Sequence, residues 1–264
     1  MKKYIAEFIG TFALVFIGCA AYTLNLNTTG AQVIILTALA FGMVIAAVFN
    51  SIYKVSGAHI NPAVTLGAFA ADRMKAVDTA AYIIAQFLGG LLGAFALYLI
   101  AISNSSFELI YGLGQNGYGD LSLGGYGIVP AILFELIASF LFVYIYLAST
   151  SKKGVKSSAG ISIGLFYAAA VISGFLITGA SLNPARSFGP GFIAGFANPV
   201  AWFQLPLFIL APAIAGLLAG LMFKFKVTHG KLKKKEYDED DTEESEESTG
   251  SEFGEQDEIE VIEK

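Results

Sequence analysis

The 264 residues are 55% hydrophobic and only 14% charged, with a mean hydropathy of +0.66, an apolar excess that excludes an ordinary soluble domain with a charged surface. The formal net charge of -5 misleads, because 15 of the 21 acidic residues fall between Glu236 and Lys264 and the chain before Glu236 holds 15 basic residues against 6 acidic ones. That distribution implies a basic membrane body carrying an acidic tail.

Lys2 and Lys3 precede an apolar run, Ile5 to Tyr22, that imitates a signal peptide, and Phe16-Ile17-Gly18-Cys19 faintly resembles a lipoprotein cleavage site. The run is long enough to span a bilayer and further spans follow, so it reads as an uncleaved first helix. Cys19 is the single cysteine. It excludes an intrachain disulfide and is read as a small packing residue.

A spanning helix needs about 20 mostly apolar residues, and such stretches lie near 4–23, 32–53, 79–102, 128–149, 158–177 and 200–224. Between them, near 61–71 and 183–195, are two apolar stretches too short to cross. Each opens with Asn-Pro-Ala, an N-cap followed by proline at the first helical position, and so reads as the start of a half-helix that dips in and returns. The glycine- and tyrosine-rich segment from Ser103 to Gly127 reads as an exposed crossover. Asn27-Thr28-Thr29 and Asn104-Ser105-Ser106 match glycosylation sequons, a short pattern common by chance.

Six spans put both termini on one side. Lys2, Lys3, Lys54, Arg73, Lys75, Lys152, Lys153, Lys156 and the cluster from Lys224 to Lys235 all fall at alternate connections, which the positive-inside rule assigns to the cytoplasm. The opposite connections, around 24–31 and 103–127, hold Glu108 and Asp120 but no lysine or arginine. Beyond Lys226 the lysines suit anionic headgroups, and the acidic stretch after them cannot bury a core and is expected to be disordered. The expected organisation is therefore a channel domain over 1–226 and a tail over 227–264.

The halves repeat, over about 4–103 and 128–225. Ala6-Glu7-Phe8-Ile9-Gly10-Thr11-Phe12 parallels Phe134-Glu135-Leu136-Ile137-Ala138-Ser139-Phe140, Ser56-Gly57-Ala58-His59-Ile60-Asn61-Pro62-Ala63 parallels Thr178-Gly179-Ala180-Ser181-Leu182-Asn183-Pro184-Ala185, and Gly90-Leu91-Leu92 parallels Gly216-Leu217-Leu218. Three spans per half invert the second half relative to the first, so the broken helices meet near the midplane. Irregular backbone at that depth is tolerated only where it is buried or lines a wet cavity, which implies a pore. The approaches around Gly57, Ala58, His59, Gly179 and Ser181 offer carbonyl acceptors, and Asn61 and Asn183 offer amide donors. Both half-helix N-termini face the midplane with about half a positive charge each, a field that repels cations there.

Paired Asn61-Pro62-Ala63 and Asn183-Pro184-Ala185, in these contexts and with Arg186 after only the second, resemble the aquaporin (major intrinsic protein) family from about residue 4 to 225. The resemblance implies an all-α membrane fold of six transmembrane helices and two re-entrant half-helices in an inverted repeat, assembled as a homotetramer in the cell membrane. It implies passive conduction of water, with glycerol and other small neutral solutes also in range, while protons and ions are excluded, with no cofactor, metal or nucleic acid. It places the narrow filter at Phe41, Val171, Ala180 and Arg186. A charged arginine costs about 2.5–3.5 kcal/mol at a helix centre, so a wet pore wall suits Arg186 better than a snorkelling role. Phe41, one of 22 phenylalanines, is singled out only by Ala38-Leu39-Ala40-Phe41-Gly42.

Strict water channels of the family place histidine where this chain has Val171, so a wider, less polar filter is expected. Ser187 matches the water-selective branch, where glycerol facilitators have aspartate, and the combination resembles an intermediate, archaeal-type aquaporin. Glu7 and Glu135 within spans read either as a proton relay or, as the resemblance implies, as acceptors for the re-entrant backbones. His59 reads either as a gating group or as a donor of its carbonyl to the pore. A secondary transporter shares the inverted-repeat plan but needs an ion-coupling site, and a structural junction protein would need an occluded pore. No nucleophile–base pair or nucleotide-binding glycine pattern supports an enzyme.

Overall fold

The computed structural model describes residues 1–25 and 30–240, with side chains to Phe225 apart from Tyr111. Its helices are α1 (Lys2–Thr23), α2 (Ala31–Ser56), α3 (Pro62–Ala70), α4 (Ala76–Ala101), α5 (Ile128–Ser149), α6 (Ala159–Thr178), α7 (Pro184–Ala194) and α8 (Val200–Asp240). No strand occurs among the described residues. Six helices, counting Val200–Phe225 of α8, are long and apolar enough to cross a membrane. At 1.5 Å per residue α3 and α7 reach only about 14 and 17 Å, half a hydrocarbon core.

Burial is inverted relative to a water-soluble protein. Ile9, Leu165 and Phe203 are exposed on the outside, whereas Glu7, Gln86 and Glu135 are fully buried. Each side chain sits where a bilayer solvent sends it, because an unpaired polar group in lipid costs several kcal/mol.

The chain divides into two units, Met1–Phe225 and Lys226–Lys264. In the first, α1 packs on α2 and α4, α2 on α6, α4 on α7 and α3 on α5. In the second, helical backbone continues to Asp240. The acidic segment beyond it, like the sequon Asn27-Thr28-Thr29, lies outside the described residues.

Matched glycines stop the spans that lead into the half-helices. Gly57 ends α2 at φ +90° and Gly179 ends α6 at φ +75°, left-handed conformations that glycine adopts without the Cβ penalty. This stop carries α2 to Ser56, three residues beyond the expected end. The repeated Gly-Leu-Leu triplets make a second matched pair. A Cβ on Gly90 of α4 would lie 2.5 Å from the carbonyl oxygen of Ala185, and one on Gly216 of α8 would lie 2.2 Å from that of Ala63. Each half-helix start is thus gripped by a spanning helix of the opposite half.

Candidate functional site

Asn61 and Asn183 cap the two half-helices in the same way. Asn61 Oδ1 accepts from Ala63 N at 2.8 Å, and Asn183 Oδ1 accepts from Ala185 N at 3.0 Å and Arg186 N at 3.3 Å. Pro62 and Pro184 follow at the first helical position, where the missing N–H costs nothing. The amide nitrogens cross between halves. Asn61 Nδ2 donates to the Leu182 carbonyl at 2.8 Å, and Asn183 Nδ2 donates to the Ile60 carbonyl at 2.9 Å. An amide NH2 has two hydrogens, so each asparagine keeps one N–H for the lumen.

The approaches are strained in matched places. Ala58 and Ile60 have φ of +52° and +44°, and Ala180 and Leu182 have +48° and +52°. Left-handed backbone costs a non-glycine residue about 1–2 kcal/mol, and two buried acids hold it. Glu7 accepts from His59 N at 2.9 Å through Oε1, and through Oε2 from Ile60 N at 2.6 Å and Gln86 Nε2 at 2.8 Å. Glu135 Oε1 accepts from Ser181 N at 2.9 Å and from the Thr178 hydroxyl at 2.7 Å, and Oε2 accepts from Leu182 N at 3.0 Å. Each carboxylate accepts three bonds from the protein, two of them from approach N–H groups, the geometry of a loop anchor.

Of the approach carbonyls, Gly57 O accepts from Tyr146 Oη at 2.5 Å, Ser181 O from Tyr167 Oη at 2.7 Å and Gly179 O from Arg186 Nη2 at 3.3 Å. A carbonyl has two lone pairs, so each keeps one. His59 is tied through Nδ1 to the Thr65 hydroxyl at 3.1 Å.

Around the sequence-predicted filter, Arg186 Cζ lies 4.9 Å from the Phe41 ring centroid, and both residues line an outer cavity of about 180 Å³ with Cys19, Thr37, Thr178 and Gly179. Arg186 is 3% exposed. Its Nη1 donates to Gly114 O at 2.8 Å and to Asn116 Oδ1 at 2.6 Å, while its Nε has no partner. The Thr37 hydroxyl on the same cavity is also unpartnered. A buried donor left unmade costs about 1–3 kcal/mol, a cost both residues carry beside the cavity. Val171 and Ala180 are fully buried in the core that holds Phe41, and neither lines this cavity.

Two more cavities continue inward. A small one of about 10 Å³ lies at Asn61 and Asn183, and one of about 540 Å³ is lined by Ser56, Asp72, Arg73 and Lys75. His59 lines both. Among the described residues no group of histidine, cysteine, aspartate and glutamate could hold a metal ion.

The sequence pattern of the family described as Major intrinsic protein matches residues 1–223. This chain belongs to that family. Its relatives include an Aquaporin Z from Rhodopseudomonas palustris, 37% identical over 225 residues that cover 84% of this chain and 92% of the relative. Another is an Aquaporin Z from Brucella melitensis, 38% identical over 225 residues covering 85% and 97%. Among solved structures, an aquaglyceroporin from Plasmodium falciparum superposes with a TM-score of 0.72 at 25% identity, covering 84% of this chain and 95% of that one. The all-α, six-span fold expected from the repeats is the fold of this family.

Asn116 is one of the functional residues that no sequence motif marks. The connection from Ser103 to Gly127 is not wholly an exposed crossover, because its Gly112–Asn116 portion includes buried Leu113 and Asn116. Asn116 accepts from Arg186 and from the Ser187 hydroxyl at 2.7 Å, and donates to Thr178 O at 2.9 Å. Arg186 requires acceptors, and this loop supplies them. Gln86, Tyr146 and Tyr167 were also unmarked by any motif.

Proposed function

We propose that the protein is a passive channel for water and small neutral solutes that excludes protons and other ions. The observation that carries this reading is the asparagine pair, with one N–H of each amide left for the lumen where two half-helix N-termini meet. A water molecule there gives both its lone pairs to Asn61 and Asn183, so it cannot accept a proton from its neighbour. The half-helix ends and Arg186 add positive potential that opposes cations. The filter is assigned to Phe41, Val171, Ala180 and Arg186, a reading supported by Phe41 and Arg186 sharing the outer cavity and by Val171 and Ala180 packing in the same core as Phe41, and the approach carbonyls to a file of acceptors. Glu7 and Glu135 serve as anchors, since each accepts three bonds from the protein, two of them from re-entrant backbone N–H groups.

The setting proposed is the cell membrane with both termini cytoplasmic, and a homotetramer of independent pores. Native mass measurement in detergent should give four chains, and a purely monomeric species would overturn that assembly. The functional test is osmotic shrinkage of vesicles carrying the purified chain, paired with a proton-leak assay. Water permeability should rise well above that of protein-free vesicles without added leak, and Arg186→Val should raise cation leak while water still passes. Vesicles that shrink no faster than protein-free ones would refute the reading.

A further inference from the structure

We propose that Tyr146 and Tyr167 form a second constriction, at the asparagine pair rather than at the filter, and that this constriction rejects polyols. The inference rests on the channel reading above and concerns where the channel selects by size.

The smallest of the cavities along the lumen is lined by Asn61, Asn183, Tyr146 and Tyr167. Its volume of about 10 Å³ lies between cavities of about 180 and 540 Å³. A single water needs about 10–15 Å³ by this measure, so the space at the asparagine pair is on the scale of one water and far below a polyol.

The two rings are fixed. Tyr146, from α5, is 4% exposed, and its hydroxyl is tied to Gly57 O. Its ring stands nearly perpendicular to His59, with centroids 5.5 Å apart, and to Phe49, with centroids 6.3 Å apart. Tyr167, from α6, is fully buried. Its hydroxyl is tied to Ser181 O, and its ring packs against Phe142 at 5.2 Å and Phe41 at 5.7 Å. Each tyrosine therefore spans from a long helix to the approach of one half-helix, and neither can swing aside without leaving a buried hydroxyl and giving up ring contacts. Having donated to a carbonyl, each hydroxyl oxygen keeps lone pairs for a passing water.

Tyr167 also lies four residues before Val171 on α6, hence on the same helix face one turn away. Tyr167 therefore presents a ring one turn along from Val171. A solute admitted by an open filter would meet this ring next.

The test uses full-length protein in vesicles, with water and glycerol permeability measured on the same preparations. Tyr146→Val and Tyr167→Val should each raise the glycerol-to-water ratio about tenfold, the scale on which pocket size discriminates. Tyr146→Phe and Tyr167→Phe keep the rings and should keep glycerol rejection. Leu165→Ala, on the outward face of the same helix, should move the ratio less than about twofold. Should one valine variant misfold, the other still tests the assignment, since the two rings come from different helices. An unchanged ratio in a folded valine variant with normal water flux overturns the constriction, as does an equal rise for Leu165→Ala or a wild-type ratio already at the level of the valine variants. Absence of water flux from the wild type would instead refute the channel reading beneath it.

Discussion

Replacing Glu135 by Gln alters one atom and tests whether the buried acids are anchors. The carboxylate receives two backbone N–H groups, from Ser181 and Leu182, and one hydroxyl, from Thr178. A glutamine places an NH2 in one of the two oxygen positions. Facing Leu182 N it meets a donor; facing Ser181 N it also meets a donor, while the Thr178 hydroxyl can turn to accept. Either way one buried backbone N–H is orphaned, at about 1–3 kcal/mol, and the surviving bonds lose their charge assistance. The strain held at Ala180 and Leu182 is about 2–4 kcal/mol at 1–2 per left-handed residue, comparable to the loss, so the approach should relax. We expect Glu135→Gln to lower stability by about 2–3 kcal/mol in an unfolding titration with a denaturing detergent, and to reduce water permeability with it. Glu135→Ala orphans both N–H groups and should cost about twice as much. A Glu135→Gln protein within about 0.5 kcal/mol of the parent would refute anchoring, and altered proton leak at unchanged stability would revive the proton-relay reading.

Asn116→Ala removes a charge-assisted acceptor from Arg186 and should cost about 1.5–3 kcal/mol of stability, while urea entry rises in vesicle swelling as the guanidinium loses its position. Gly216→Ala sets a Cβ 2.2 Å from the Ala63 carbonyl oxygen and should abolish assembly of the folded channel, whereas Gly127→Ala, with nothing within 4 Å, should leave melting and yield unchanged. Deleting 236–264, which lies outside both repeats, should leave water permeability per inserted protein intact. A large loss there would reveal a regulatory tail.

The spans were legible because a bilayer demands about 20 apolar residues at each crossing, and the half-helices because Asn-Pro marks a helix start even in an apolar run. Glu7 and Glu135 could be found because repetition placed them at matching points of the two halves. Tyr146 and Tyr167 could not. They are two of 12 tyrosines on helices apolar all round, where periodicity does not separate a lumen face from a packed one. Asn116 sits in an aperiodic loop, and its partner Arg186 lies 70 residues along the chain. Gln86 meets Glu7 across 79 residues, a pairing no local pattern encodes.

The crossed amides have a consequence for how the molecule is made. During synthesis the first half exists before the second, and Asn61 then has no Leu182 carbonyl to reach, just as Gly216 is not yet present against Ala63. The early half carries a polar group and an uncovered backbone that only the late half can satisfy. Insertion of the first three spans is therefore a provisional state, completed when α7 docks and both asparagines are paired at once. Halves expressed separately as 1–127 and 128–225 present complementary surfaces, and the shared cost of leaving two amides unmet favours their association within the bilayer.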